Sequence, residues 1–395
     1  MADRRGRSVR DVVIVGGGIS GTAATYELAR AGAAVTLLEK GDLASMASGW
    51  TLAGVRQSGR HPAELALAMA AVRRWRGLAD ELGAEVEYRQ EGNLRLARTP
   101  EEIPVIADLV RSQQALGLDL TLLPDTAAVR GVAPALSDTV LAASYCPSDG
   151  HANPNLAVRA FAAAAERHGA EIRTGIEVRA IQATGGRVEG VATTAGPVPA
   201  DAVVVAAGIH SAALLEPLGL ELPLAVWHAT IVQTVPLPPL IRQVLGVANA
   251  DFAGRQEVSG RFRMSGDGTP WRWPDGTPTR SIHADLIQPP AASVAAAISR
   301  GAEVVPALER AGVARVWGGL IDMTPDGLPI LARVPEVDGL VVAAGFSGHG
   351  FCLGPVTGQI IRELVTAGRA SLPLEPFRLS RFAGAKSVAT ATLHG

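Results

Sequence analysis

The stretch Asp11-Val-Val-Ile-Val-Gly16-Gly17-Gly18-Ile19-Ser20-Gly21, followed by Ala-rich sequence and then Val35-Thr-Leu-Leu-Glu39-Lys40, decides the fold. Val12 to Val15 are β-branched and read as a buried strand that stops at three glycines. Gly16, Gly18 and Gly21 have the G-x-G-x-x-G spacing. The first permits a tight turn, the second lets backbone approach a pyrophosphate, and the third lets helix and strand pack closely. A helix over about Ile19 to Ala31 then points unpaired N–H groups and its positive dipole end at that phosphate. Gly32 ends it, and Val35 to Leu38 form a second strand with Glu39 at its carboxyl end. An acid about 18 residues past the last glycine is placed to accept hydrogen bonds from an adenosine ribose.

Composition bounds what this dinucleotide site belongs to. The chain has 395 residues, 48 % hydrophobic and 19 % charged, which is enough for two lobes of an ordinary globular protein. A formal net charge of −2 gives no electrostatic reason to expect nucleic acid or an anionic membrane. Arg4, Arg5, Arg7 and Arg10 resemble the start of a signal peptide, but the apolar run behind them is short and ends in the glycine turn. No stretch of about 18 apolar residues exists to span a bilayer. Cys146 and Cys352 have no metal-ligand spacing, and the chain reads as cytoplasmic with no metal.

Two further apolar strands end in glycine, Val203-Val-Val-Ala-Ala-Gly208 and Leu340-Val-Val-Ala-Ala-Gly345. Open parallel sheets bind ligands at the carboxyl ends of their strands, so these turns are expected to converge on one extended cofactor. Helices are expected over Pro62 to Leu82, Glu101 to Leu116, Leu156 to His168, Ser293 to Ala311 and about Pro355 to Thr366. Glu85 to Leu96 reads as a hairpin, with a loop after residue 116 to about Ala143. Val178 to Thr193 reads as a second hairpin, turning at Gly185-Gly186. The fold class is therefore α/β: a discontinuous Rossmann-like domain (1–85, 144–221 and 316–395) with an inserted antiparallel-sheet-rich α+β substrate domain (86–143 and 222–315).

The segments Gly318-Gly-Leu-Ile-Asp-Met-Thr324-Pro-Asp326-Gly-Leu-Pro329-Ile and Ala343-Ala-Gly-Phe-Ser-Gly-His349-Gly-Phe351 resemble the D-amino-acid oxidase superfamily of flavoproteins, nearest its sarcosine, glycine and opine oxidase branch. The loop Ala47-Ser-Gly-Trp-Thr-Leu-Ala-Gly-Val-Arg56 is similar to that branch's A-S-G-x-N-x-G-G-x-R segment, with Thr51 in the asparagine position. The likeness runs from residue 11 to about 380 and is weakest across 90–140 and 225–290. It implies FAD. Gly16, Gly18, Ile19, Ser20 and Gly21 would hold the pyrophosphate. Glu39 and Lys40 would lie at the ribose, and Val178 at the adenine. Ser48, Gly49 and Thr51 would lie by the flavin ring, and Gly208 would also bind the cofactor. Gly345, Ser347, Gly348, His349, Gly350 and Phe351 would offer backbone N–H groups to the pyrimidine edge, where reduced flavin gathers negative charge.

Three departures from that branch bear on chemistry. Cys352 stands where monomeric sarcosine oxidases carry a lysine near the substrate carboxylate. Trp317 to Met323 lack the cysteine that tethers their flavin, and Pro154 stands where beta subunits of heterotetrameric sarcosine oxidase carry a histidine for covalent FMN. The expectation is noncovalent FAD and a different carboxylate clamp. The reaction implied takes a hydride from the amine-bearing carbon to flavin N5, leaving an imine for water to hydrolyse. Arg56 is the first candidate for a charged group beside the flavin, and Arg261, Arg263 and His349 are further catalytic candidates, the arginines because guanidinium binds carboxylate bidentately. Cys352, His228, His283, Trp227 and Trp271 read as packing residues. Electrons would pass to oxygen or to a partner subunit of a hetero-oligomer. An NAD-dependent dehydrogenase and a noncatalytic flavin-holding subunit stay open as alternatives.

Overall fold

Asp11–Val15 pairs in parallel with Ala34–Leu38 on one side and Ala202–Val205 on the other. These strands are the centre of a six-stranded sheet, in the order 330–333, 340–344, 202–205, 11–15, 34–38, 171–173. Only the 330–333 edge strand is antiparallel. The structure, a computed structural model, describes residues 11–273 and 284–383, so Arg4, Arg5, Arg7, Arg10 and His283 lie outside the described residues. Val12 and Ile14 pack into one apolar cluster, Val13 and Val15 into another. A strand covered on both faces must be apolar at every position, which is why this one reads as an unbroken hydrophobic run.

Helix Ile19–Arg30 covers one face, packed against Gly350–Ala367 and Pro154–Arg167. Helix Gly350–Ala367 begins five residues before the expected start, so Pro355 lies inside it. Nothing in the turn at His349 stops the chain from coiling immediately. Pro62 to Leu82 is broken at Arg76–Gly77 into Pro62–Trp75 and Leu78–Leu82.

The second sheet has nine strands and is mostly antiparallel. Asn93–Ala97 lies between Ala142–Cys146 and Val244–Val247. The expected hairpin over Glu85 to Leu96 is therefore absent. Its first half is extended loop with a single bridge, Arg89 to His151, and its strand takes partners remote in sequence. The expected loop up to Ala143 contains Thr121–Leu123, helix Thr126–Val132 and the start of strand Ala142–Cys146. Val313–Met323 pairs along ten positions with Ala225–Pro236. The boundaries drawn at 144 and 316 thus cut through strands of the second sheet, because glycine-ended strands mark sheet edges only when their partners are known.

Alternation in Asn93-Leu94-Arg95-Leu96 sets the sheet's orientation. Leu94 and Leu96 join Phe252, Phe262 and Met264 in a third apolar core beneath helix Ala291–Val304. Arg95 and the small residues Gly246, Ala253 and Ser265 stand in register on the other face. That face looks toward the glycine turns.

Candidate active site

Two adjoining cavities, about 1420 and 950 Å³, run along the carboxyl ends of the six-stranded sheet and share Gly18, Ala47, Ser48, Ala206, Gly208 and Asp322. The smaller is bounded by Glu39, Lys40, Val178 and His210. Glu39 accepts from the Gly17 amide (2.6 Å) and the Gly41 amide (2.7 Å), which holds its carboxylate at the strand end. Lys40 Nζ lies 2.8 Å from His210 Nε2, and burial, with Lys40 next, lowers the His210 pKa to about 4. The larger cavity is lined by Ile19, Ser20, Thr51, Arg56, Gly348, His349, Gly350 and Phe351.

Some predicted cofactor residues shape turns without lining either cavity. A Cβ on Gly21 would collide with the Gly16 carbonyl, and one on Gly49 with the Ala44 carbonyl. Both glycines are there for close backbone approach. Gly345 (φ 67°) and Ser347 (φ 51°) build the C-terminal turn. Asp322 secures it: its carboxylate accepts from the Gly345 amide at 2.6 Å and its carbonyl from the Ser347 amide at 3.0 Å. Burial raises the Asp322 pKa to about 6 despite those amides.

Arg56 lines the larger cavity, and its guanidinium makes no hydrogen bond or ion pair among the described residues. Burial, then Arg60 and Arg95, press its pKa down to about 9. The loop that carries it is fixed from several sides. Asp149 accepts from the Gln57 amide (2.9 Å), the Ser58 amide (3.2 Å) and the Ser58 hydroxyl, Gln113 brackets Gly59 and Arg60 at 3.0 Å each, and Cys352 Sγ donates to the Arg56 carbonyl at 3.3 Å. Cys352, with its thiol pushed up to about 12 by burial, is a packing and positioning residue. His349 Nδ1 lies 3.0 Å from Glu64 Oε2, and its Nε2 has no partner among the described residues. Burial and Arg60 lower the His349 pKa although Glu64 opposes them, so the ring is neutral near pH 7.

The other two arginine candidates do not reach the cavity. Arg263 ion-pairs with Glu257 (2.7 Å), donates to the Thr51 carbonyl (2.6 Å) and stacks on Trp317. Arg261 donates to the Thr234 carbonyl at 3.2 Å. They do share a face of their strand with Ser265, but the cavity extends only over the Ser265 end. His228 bonds the Ile287 carbonyl and stacks on Trp271, as a packing residue would.

Sequence reasoning missed Arg60, Arg95, Glu64 and Asp322. Arg60 follows Arg56 by four residues in the same loop, which is the one available sign. Arg95 looks like any solvent-facing residue of an alternating strand, and Glu64 like any acid in a helix's first turn. Asp322, an acid ending an apolar strand just before Thr324-Pro-Asp326, could have been singled out.

The donor set fits a flavin dinucleotide: a glycine turn at a helix N-terminus, a strand-end acid at one end of a continuous groove, and a second glycine turn at the other. The pattern of the family described as DAO, FAD dependent oxidoreductase, matches residues 11–364. A glycine oxidase of Geobacillus kaustophilus (strain HTA426) is 30% identical over 95% of this chain and 97% of its own length. Sarcosine oxidase subunit beta of an Arthrobacter sp is 29% identical over 94% of this chain and 91% of its own length. Among solved structures, L-proline dehydrogenase from P. horikoshii superposes with a TM-score of 0.84 at 27% identity, covering 95% of this chain and 98% of that one. The nicotinamide alternative ends with that match, and no helix among the described residues is long and apolar enough to cross a membrane. A strand-to-glycine turn at each end of one groove, and a family pattern that spans both, make this chain a member of the FAD-dependent oxidoreductase family.

Proposed function

We propose that the chain oxidises the CH–NH bond of an amino acid or N-substituted amino acid to the imine, with Arg56 holding the substrate carboxylate. The observation that carries this reading is the unpaired Arg56 guanidinium in the same cavity as the two glycine turns. Burying a cation without a partner costs several kcal/mol, so the loop network around Arg56 maintains it for an anionic ligand. FAD held there would supply the two-electron acceptor that this oxidation needs. Gly16 to Gly21 would cradle its pyrophosphate, Glu39 its ribose, and the turn from Gly345 to Phe351 the pyrimidine edge of its ring. Neither cysteine is free to tether it: Cys352 is committed to the Arg56 carbonyl, and Cys146 is buried beside Ser148.

The amine must react neutral. His349 Nε2, its ring oriented by Glu64, would accept the ammonium proton, and the apolar wall of Trp50, Ile321 and Phe346 disfavours the charged amine. Arg261 and Arg263 have no part in this scheme. The relatives named glycine oxidase and sarcosine oxidase subunit beta support an amino-acid donor, and the second, being a subunit, also supports a partner chain. The test is anaerobic mixing of purified protein with sarcosine, proline, D-amino acids and opines while following flavin absorbance. Bleaching by at least one amino acid is expected. Absence of bleaching by all of them, with partner subunits present, would favour a flavin-holding subunit. Reoxidation by oxygen compared with a dye then separates oxidase from dehydrogenase.

A further inference from the structure

Three consecutive carbonyls of the loop that carries Arg56 are gripped by side chains of the second sheet. Trp317 Nε1 donates to the Trp50 carbonyl at 3.1 Å, Arg263 Nη1 to the Thr51 carbonyl at 2.6 Å, and Arg255 Nε to the Leu52 carbonyl. Arg255 and Arg263 stand directly opposite each other on neighbouring strands, so both reach the loop from one face of the sheet. Glu257 pairs with Arg263, whereas Arg255 directs the rest of its guanidinium at another segment. Its Nη1 donates to His151 Nδ1 and its Nη2 to the Ala152 carbonyl, each at 3.1 Å. A guanidinium accepts nothing, so Nδ1 is the unprotonated ring nitrogen. Burial, then Arg255 and Arg89, hold the His151 pKa well below its ordinary value, which keeps that nitrogen an acceptor.

These contacts converge on the stretch just before Arg56. Gly54–Val55 pairs antiparallel with Gly150–His151, and the Ala152 amide donates to the Ala53 carbonyl at 3.2 Å. A Cβ on Gly54 would lie 3.4–3.5 Å from Arg56 Cγ, Cδ and Nε, so the Arg56 side chain runs back along Gly54. On the other side of Arg56, Asp149 holds the Gln57 and Ser58 amides. The short segment from Asp149 to Ala152 thus flanks Arg56 before and after, and Arg255 ties both that segment and the loop to one sheet.

Arg255 lines neither cavity and is 2 % exposed. Burial, then Arg263, press its pKa down to about 9, so its charge is kept against a desolvation penalty. Packing alone would be met by an apolar side chain of similar size. Three acceptors on two separate segments need the donors of a guanidinium fork. We propose that Arg255 is a positioning residue of the carboxylate site: from behind the loop it fixes Leu52 to Val55, and with them the direction in which Arg56 meets its anion. The proposal rests on the reading that Arg56 holds the substrate carboxylate. A pre-set guanidinium loses less freedom when it binds, which is where the affinity comes from.

The test is a double-mutant cycle with a second, local readout. Holoenzyme is titrated calorimetrically with propanoate, which has no amine to oxidise, and with the neutral propanamide. Arg255→Met is expected to weaken propanoate on the order of tenfold or more, with flavin content and propanamide affinity unchanged. In the Arg56→Met background the same substitution should have no further effect, because it acts through Arg56. Arg255→Lys, a point charge without the fork, should recover part of the affinity, and takes its place if Arg255→Met does not fold. Hydrogen exchange reads the loop without any ligand. Peptides spanning residues 52–56 and 149–153 should exchange on the order of tenfold faster in Arg255→Met, with strand 11–15 of the first sheet unchanged. Losses that add in the cycle, or exchange that rises equally throughout the molecule, would make Arg255 a purely structural residue and overturn the proposal. If Arg56→Met weakens propanoate and Arg255→Met does not, the positioning role alone fails. If Arg56→Met itself leaves propanoate affinity unaltered, the carboxylate reading of Arg56 fails, and a localised rise in exchange would still show Arg255 holding the loop.

Discussion

Glu64→Gln probes the groups assigned to the proton. Glu64 is fully buried in the first turn of helix Pro62–Trp75, with Oε2 3.0 Å from His349 Nδ1 and Oε1 without a partner among the described residues. Burial favours its protonated form, but His349, Arg60 and His61 outweigh it and hold the carboxyl below its ordinary value. Glutamine keeps the shape and an accepting oxygen while removing the charge. A hydrogen bond to a charged group contributes about 1.5–3 kcal/mol and a neutral one about 0.5–1.5, so the His349 orientation loses about 1.4 kcal/mol. That is about tenfold in the plateau of kcat/KM if His349 accepts the amine proton. The sign of the pH effect is fixed independently. Glu64 raises the His349 pKa, so removing its charge lowers that pKa further, and the acid limb of the profile moves to lower pH. Anaerobic stopped-flow reduction of the flavin across pH 5–9 reads both quantities. A plateau loss with an unmoved acid limb would mean that Glu64 only packs helix Pro62–Trp75, and the proton assignment would fail.

Three other perturbations follow from the same geometry. Arg56→Met should weaken substrate binding by about 2–4 kcal/mol, a rise in KM of thirtyfold or more with flavin content unchanged; an unaltered KM for every reducing amino acid would remove Arg56 from the site. Gly21→Ala must move the first helix away from Gly16, at about 1–3 kcal/mol, and should leave the purified protein largely colourless. Asp322 holds its proton to about pH 6 when folded, against 3.8 in its unfolded reference, so the folded state binds more protons between those values and stability falls as pH rises through them. The carboxylate therefore costs about 3 kcal/mol above pH 6, at 1.36 kcal/mol per unit. Asp322→Asn should flatten that slope in urea melts of the apoprotein, and an unchanged difference between pH 4.5 and pH 8 would contradict it.

The ease with which the sequence yields the first sheet, and hides the second, has a physical origin. Val12 to Val15 are buried on both faces and end at glycines whose spacing has a steric reason, so local sequence carries the whole message. The two ends of the cofactor groove, Glu39 and the turn from Gly345 to Phe351, were legible for the same reason. Asn93–Ala97 is different: its neighbours come from residues 142–146 and 244–247, and no local pattern names them.

The substrate side fails at one further step. An alternating strand states which residues share a face, but not what covers that face. Arg263 and Arg95 are indistinguishable by pattern, each a cation between apolar neighbours. Glu257 lies against Arg263, which does not reach the cavity, whereas Arg95 lines the cavity beside Arg60. A cation's place in such a sheet is therefore set by what the rest of the fold lays over that face, which the alternation alone does not state.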